Sequence, residues 1–217
     1  MKIYKIPLDL KAIIFDIDGT LYTCPSYVVE QVDVQIRHWA EINGWTVDYA
    51  RKKMESFRKE WSAAHNGKKI SLGNAFTHFG ISIQESIKWR NEFLHPELFL
   101  KKDLELSKTL ELFKSKYKII ALTNNPVQAA LKNLNAIGIE NQIENIIGLD
   151  TCFKSKPNQQ ILEKAAEITN CKFEQMLSVG DRFDIDLSLP LELGMGGVLV
   201  NGAEDVIKLS QQLLNQN

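Results

Sequence analysis

Residues 11–22 read KAIIFDIDGTLY, and the fold turns on how this stretch is read. The apolar run from Ala12 to Phe15 is short, bounded by charge, and has the character of a buried strand. It ends in two aspartates, Asp16 and Asp18, one residue apart, followed by Gly19 and Thr20. Like charges that close repel, and burying either one unpaired is costly. Groups elsewhere in the chain must compensate for them.

The chain beyond this point changes character. From Ser26 to about Leu94 the pattern is helical, with Asn43-Gly44 as a stop, Thr46 and Asp48 as a start, and a break around Asn66-Gly67-Lys68-Lys69. A further helix is expected from Ile83 to Phe93. After Leu104, helices and strands alternate: helix 104–115, strand 117–123, a helix from Asn125-Pro126 to Ile137 closed by Gly138, and strand 143–148. A helix from Pro157 to Thr169 follows, then strand 176–181, helix 187–193, strand 196–200 and helix 203–214. Such alternation implies parallel strands joined by right-handed crossovers. The reading is an α/β core, residues 1–22 and 97–217, interrupted by a helical insertion over 23–96.

Composition narrows the function classes. With 217 residues, one core domain carrying a sizeable insertion fits the length. A formal net charge of −1 gives no reason to expect nucleic acid or an anionic membrane as partner. No apolar run approaches the roughly 20 residues that span a bilayer. The N-terminal MKIYKIPLDLK is broken by Pro7 and Asp9 and is too short for a signal peptide. Cys24, Cys152 and Cys171 form no CxxC, which disfavours structural zinc and suits a reducing, cytoplasmic setting. Neither a GxxxxGK[ST] loop nor GxGxxG is present, and the aspartates do not fit a calcium loop.

In a parallel sheet, ligands bind beyond the carboxyl ends of the strands. Asp16, Asp18 and Thr20 lie there, as do Thr123, Asn124 and Asn125, and also Asp181, Asp184 and Asp186; Lys156 precedes a helix on the same rim. Crowded carboxylates call for a hard cation such as magnesium, with Asp16 and Asp181, and Asp186 as a third, to neutralise it. A metal, a lysine and backbone N–H groups together are equipment for a phosphoryl group. Hydrolysis of phosphate monoesters is accelerated by enzymes up to about 10²¹-fold, and an aspartate nucleophile would divide that barrier into two steps.

FDIDGTLY (15–22), LTN (122–124), SKP (155–157) and GDRFDID (180–186) resemble, in order, the four motifs of the haloacid dehalogenase (HAD) superfamily. The resemblance covers residues 11–22 and 104–214. It implies a Rossmann-like parallel sheet sandwiched by helices, with an α-helical cap inserted after the first strand; the place of the insertion alone suggests that the cap closes over the core. It also implies roles: Asp16 as nucleophile, Asp18 as general acid and then base, and Lys156 offsetting charge on Asp16 and the phosphoryl group. Thr123, Asn124 and Thr20 would bind substrate. Asp16, the Asp18 carbonyl, Asp181 and Asp186 would hold magnesium, with Asp184 competing for the last place. The dehalogenase branch lacks an aspartate at position 18, so the resemblance favours a magnesium-dependent phosphatase acting on a small phosphomonoester. Within the superfamily it is similar to the pyrimidine nucleotidase-like or phosphoglycolate phosphatase-like groups, although Gly19 stands where the former carries asparagine. Pro190, where relatives carry alanine, is tolerated in a helix starting near Ser188. A phosphomutase, a metal-free dehalogenase and a non-catalytic binding module are the rival readings.

All four tryptophans (Trp39, Trp45, Trp61, Trp89) fall in the insertion, where packing is the first account of each. Tyr22, Tyr27, Trp61 and Lys68 are the candidates for contact with a substrate base or sugar.

Overall fold

The computed structural model describes residues 1–214. Two compact units form: Met1–Cys24 together with the chain from Pro96 onward, and Pro25–His95. In chain order the elements are β1 (Lys2–Lys5) and β2 (Ala12–Phe15), then α1 (Pro25–Ile42), α2 (Val47–Ala64), α3 (Leu72–Thr77) and α4 (Ile83–Phe93) of the helical unit. The first unit resumes with α5 (Leu104–Lys114), β3 (Lys118–Leu122), α6 (Val127–Ile137), β4 (Asn145–Ile147), α7 (Leu149–Cys152) and α8 (Gln159–Thr169). It closes with β5 (Met176–Gly180), a π turn (Phe183–Leu187), α9 (Ser188–Glu192), β6 (Gly196–Leu199) and α10 (Ala203–Leu214). No helix among the described residues is long and apolar enough to cross a membrane.

The sheet order is β1-β6-β5-β2-β3-β4. β2 is central and buried on both faces: Ala12 and Ile14 pack among Ile120, Leu122, Ile161 and Met176, while Phe15 on the other face meets Phe113 of α5 at 6.0 Å between ring centres. Both neighbours of β2 run parallel to it, and the register aligns Phe15 with Ala121 of β3 and with Val179 of β5. The residues that follow each strand therefore emerge side by side at the carboxyl edge. The chain moves from β2 outward to β3 and β4, then returns to β5 on the opposite side of β2. That reversal is the topological switch point where ligands of such sheets bind.

Three local readings need correction. β1, not foreseen in the broken N-terminal segment, pairs antiparallel with β6. All four of its residues are exposed, so no hydrophobic face marks it in the sequence; the unpaired backbone groups along the edge of β6 recruit it. Asn125 does not cap α6. The helix begins at Val127, Pro126 holds the cap position without a side-chain hydrogen bond, and Val127 N–H donates to Asp150 Oδ1 at 2.9 Å instead. α8 opens at Gln159 rather than Pro157, because Asn158 accepts from Gln160 N–H at 3.0 Å and serves as the cap. The short α3 and α7 were also unforeseen, as was the π turn before α9. Pro190 does fall in the first turn of α9, whose leading N–H groups need no intrahelical partner.

The helical unit has a core of its own. Trp39 and Trp89 are buried with Met54, Phe76 and Ala75, and Trp45 and Trp61 pack against the same cluster. Trp39 meets Trp45, Phe76 and Phe79 with ring centres 4.8–5.5 Å apart. All four tryptophans thus build the core of this unit, as the packing account expects.

Candidate active site

The site is assembled at the carboxyl edge by the register of β5, β2 and β3. Asp16 follows β2 directly, and its N–H donates to Val179 O at 2.9 Å, extending the strand by one residue. Its carboxylate is 4% exposed. Lys156 lies on the segment before α8, with a side chain as buried as the carboxylates it meets. Its Nζ donates to Asp16 Oδ1 at 2.5 Å, Asp186 Oδ1 at 2.7 Å and Leu122 O at 2.8 Å, which uses all three ammonium hydrogens. The Lys156 backbone is held as well, its N–H donating to Asn124 Oδ1 at 2.6 Å.

The remaining carboxylates come from the loop after β5. Ligand oxygens of Asp16, Asp181 and Asp186 lie within 4.8 Å of one another. Two glycines permit this approach. Gly19 sits at φ +87°, and a Cβ there would lie 2.5 Å from Asp181 Oδ2; a Cβ on Gly180 would lie 2.3 Å from the Asp186 Cβ. The π turn brings Asp186 inward, where its Oδ2 accepts from Arg182 N–H at 3.1 Å and its backbone carbonyl accepts from Ser178 Oγ at 2.7 Å. Asp184, two residues earlier, is exposed and stands outside the cluster.

Three carboxylates against one buried ammonium leave a net charge of −2 when all are ionised. The consequences are directional. Burial alone would pull the Lys156 pKa down, but the charges and hydrogen bonds of Asp16 and Asp186 outweigh it and raise the pKa. Asp186 is pushed up by burial and by the charge of Asp16, against the pull of Lys156. Asp181 rises to about 6, mainly through burial and then through repulsion from Asp16. Its Oδ1 is buried without a hydrogen-bond partner; Arg182 Nε stands 3.5 Å away without forming one. An all-oxygen cluster, short of positive charge and holding one orphaned oxygen, has the donor set and electrostatics that a hard divalent cation would satisfy.

The polar residues read from the sequence surround this cluster. Thr123 is buried, and its Oγ1 accepts from Asn125 N–H at 3.1 Å, which leaves the hydroxyl proton to be donated elsewhere. Thr20 is fully buried, and its Oγ1 donates to Asp16 Oδ2 at 3.4 Å, so the contact it makes is with the carboxylate of Asp16. Asp18 stands apart from the three-carboxylate cluster. Its Oδ1 accepts from Tyr22 Oη at 2.5 Å and its Oδ2 from Asn125 Nδ2 at 3.0 Å. Tyr22, considered above for stacking on a substrate, is buried, and its hydroxyl also accepts from Asn133 Nδ2 at 3.0 Å. Tyr27 is likewise fully buried. Trp61 stacks on His65 at 3.8 Å, and Lys68 is exposed.

Asn133 and Ser178 escaped the sequence reading. Asn133 had a signal: it occupies the apolar face of α6 with Ala129, Ala130, Leu134 and Ile137. A polar residue at that spacing must find a buried partner. Ser178 lies inside a strand that reads as wholly buried, and nothing distinguishes it from a small packing residue.

The haloacid dehalogenase-like hydrolase family matches residues 10–190. Pyrophosphatase PpaX of Listeria monocytogenes serotype 4a is 22% identical over 195 residues, covering 87% of this chain and 83% of the relative. Glyceraldehyde 3-phosphate phosphatase of Methanothermobacter thermautotrophicus is 31% identical over 94 residues, 43% of this chain and 42% of the relative. A HAD phosphatase from Thermococcus onnurineus shares the fold with a TM-score of 0.63 at 21% identity, covering 88% of this chain and 86% of that one. With the match spanning more than half of its length, this chain belongs to the haloacid dehalogenase-like hydrolase family.

Proposed function

We propose that the protein is a magnesium-dependent phosphatase that hydrolyses a small phosphomonoester through an aspartyl-phosphate intermediate. The observation that carries this reading is the meeting of Asp16, Lys156, Asp181 and Asp186, with one Asp181 oxygen left unsatisfied. The two relatives are named as a pyrophosphatase and a glyceraldehyde 3-phosphate phosphatase, which supports cleavage at phosphorus in a small molecule.

In the first half-reaction an Asp16 oxygen attacks phosphorus and the bond to the leaving oxygen breaks. The electron pair stays on that oxygen, which takes a proton from the Asp18 carboxyl. Lys156 holds Asp16 in place and offsets charge on the transferring group, while the Thr123 hydroxyl and the Asn124 N–H bind its equatorial oxygens. In the second half-reaction a water attacks phosphorus and gives its proton to Asp18. The bond to Asp16 breaks with its electron pair returning to the carboxylate. Asp18 ends protonated, ready to act as the acid again. Asp16, Asp181, the Asp18 carbonyl and Asp186 would hold magnesium, which when bound supplies the positive charge that the cluster lacks and polarises the phosphoryl oxygens.

Hydrolysis of p-nitrophenyl phosphate, assayed with magnesium and with chelator, tests the reading. Turnover that chelator abolishes and Asp16→Asn removes is expected; turnover indifferent to both overturns it. A panel of nucleoside monophosphates, sugar phosphates, phosphoglycolate and pyrophosphate then identifies the substrate.

A further inference from the structure

The Asp18 side chain is fixed by Tyr22, the last residue of the first motif, and by Asn125 and Asn133, which lie outside the four motifs. Gly19 N–H donates to Tyr22 O at 2.9 Å, and Thr20 and Leu21 N–H both donate to Ile17 O, so residues 17–22 close into a tight turn. That turn folds the Tyr22 ring back toward Asp18. Asn133 approaches from α6, and its Nδ2 can only donate. The Tyr22 hydroxyl therefore spends an oxygen lone pair on Asn133, and its proton goes to Asp18 Oδ1. Asn125 Nδ2 donates to the other oxygen of Asp18. Both carboxylate oxygens accept, from donors on two different loops, the one after β2 and the one after β3, and the Tyr22–Asn133 arm is buried. A carboxylate held this way has one orientation and is presented as an acceptor.

We infer that Tyr22, backed by Asn133, is a positioning residue that holds Asp18 as the acceptor that takes a proton from water in the second half-reaction. The inference rests on the function proposed above, since it needs an aspartyl phosphate to be hydrolysed. It separates the two halves of the cycle. Nitrophenolate is a good leaving group that needs little proton donation, so forming the phosphoenzyme from p-nitrophenyl phosphate depends weakly on Asp18. Breakdown of the phosphoenzyme needs a base at a fixed place. Removing the Tyr22 hydroxyl therefore slows the second half and spares the first.

The experiment is rapid mixing of p-nitrophenyl phosphate and magnesium with wild-type, Tyr22→Phe and Asn133→Leu proteins, following the first turnover and the steady state separately. Tyr22→Phe is expected to leave the first-turnover release of nitrophenolate unchanged and to lower the steady-state rate about tenfold, a part of the roughly 10²–10⁴-fold that general acid–base catalysis supplies. Acid-quenched samples of the variant then hold more phosphoenzyme than wild type. Asn133→Leu leaves the hydroxyl in place and is expected to shift the balance the same way by a smaller factor; it decides the question alone if Tyr22→Phe does not fold. A fall of both phases together, or no change in either, overturns the inference. Wild-type protein without magnesium-dependent turnover would instead sink the parent reading, which keeps the two failures distinct.

Discussion

Lys156 and Asp16 stand 140 positions apart in the chain, and their side chains meet at 2.5 Å with almost no solvent access. Breaking a buried pair by removing one partner costs about 3–5 kcal/mol, because the other charge is left uncompensated. Lys156→Met is therefore expected to destabilise the metal-free protein by about that amount in denaturant titration and to lower kcat by about 10²-fold or more. Lys156→Arg is expected to fail as well, since a planar guanidinium cannot direct three hydrogen bonds to Asp16, Asp186 and Leu122 O as an ammonium does. Wild-type stability and turnover in Lys156→Met would count against the charge arrangement described.

The raised pKa of Asp181 links metal binding to pH. The folded, metal-free protein keeps a proton on this group up to about pH 6, whereas the unfolded chain loses it near 3.8. The folded state thus binds more protons across that window, and the Asp181 contribution to stability falls as pH rises through it. A cation needs the ionised form, so magnesium affinity should drop by up to about tenfold per pH unit below pH 6, with a proton released on binding in that same range. Calorimetric titration at pH 5 and 7 in buffers of different ionisation enthalpy measures both. An affinity unchanged between the two, with no proton release at pH 5, is the contrary result.

Asp184 and Asp186 separate by burial. Asp186→Asn removes the negative charge that faces Lys156 and turns an NH2 donor toward either Lys156 or the Arg182 N–H, and is expected to reduce activity about 10–100-fold, the range seen when groups supporting a metal site are lost. Asp184→Asn alters an exposed carboxylate outside the cluster and should leave kcat and the magnesium half-saturation unchanged. Equal losses in both variants would contradict this division between the two carboxylates.

The helical unit offers a test independent of catalysis. Asp33 of α1 accepts from Arg51 of α2 at 2.7 and 2.8 Å, and from Arg37 at 2.6 Å. Its pKa is lowered by the Arg51 hydrogen bonds, with Arg37 adding, against a cost from burial. A depressed carboxylate pKa means stability that is present above the unfolded value of 3.8 and is lost as pH falls through the folded one. Arg51 is half exposed and screened, so Asp33→Ala should cost about 1 kcal/mol at neutral pH, and less in high salt. A thermal melt insensitive to the substitution at low salt would show that this pair ties nothing together.

The parts of the structure that were legible in the sequence are those with strong local signals. β2 and β3 carry unbroken apolar runs and β5 one interrupted only by Ser178, each followed by a polar residue, and their register brings Asp16, Thr123 and Asp181 to one edge. The helices α4, α5 and α10 lie within a residue of their expected bounds: Ser82 and Asp103 cap α4 and α5, and apolar spacing marks α10. β1 was missed because an exposed edge strand has no apolar face to read. The Asn125 cap does not form because α6 starts one residue later than expected: Pro126 takes the cap position, Asp150 serves the Val127 N–H, and Asn125 Nδ2 donates to the distant Asp18. A long-range partner likewise hides the contacts of Tyr22 from the sequence. An aromatic next to a motif invites a stacking interpretation, and only the position of Asn133, on another element, shows that its hydroxyl is committed inward.

The central claim is that Asp16 carries the phosphoryl group. Mass spectrometry of protein quenched in acid during turnover, followed by digestion, locates that group directly. One phosphoryl group on the peptide containing Asp16, lost on incubation without substrate and never formed in Asp16→Asn, is the expected result. Active turnover with the phosphoryl group on another residue, or with no labelled peptide under conditions where Tyr22→Phe should accumulate it, would contradict the account.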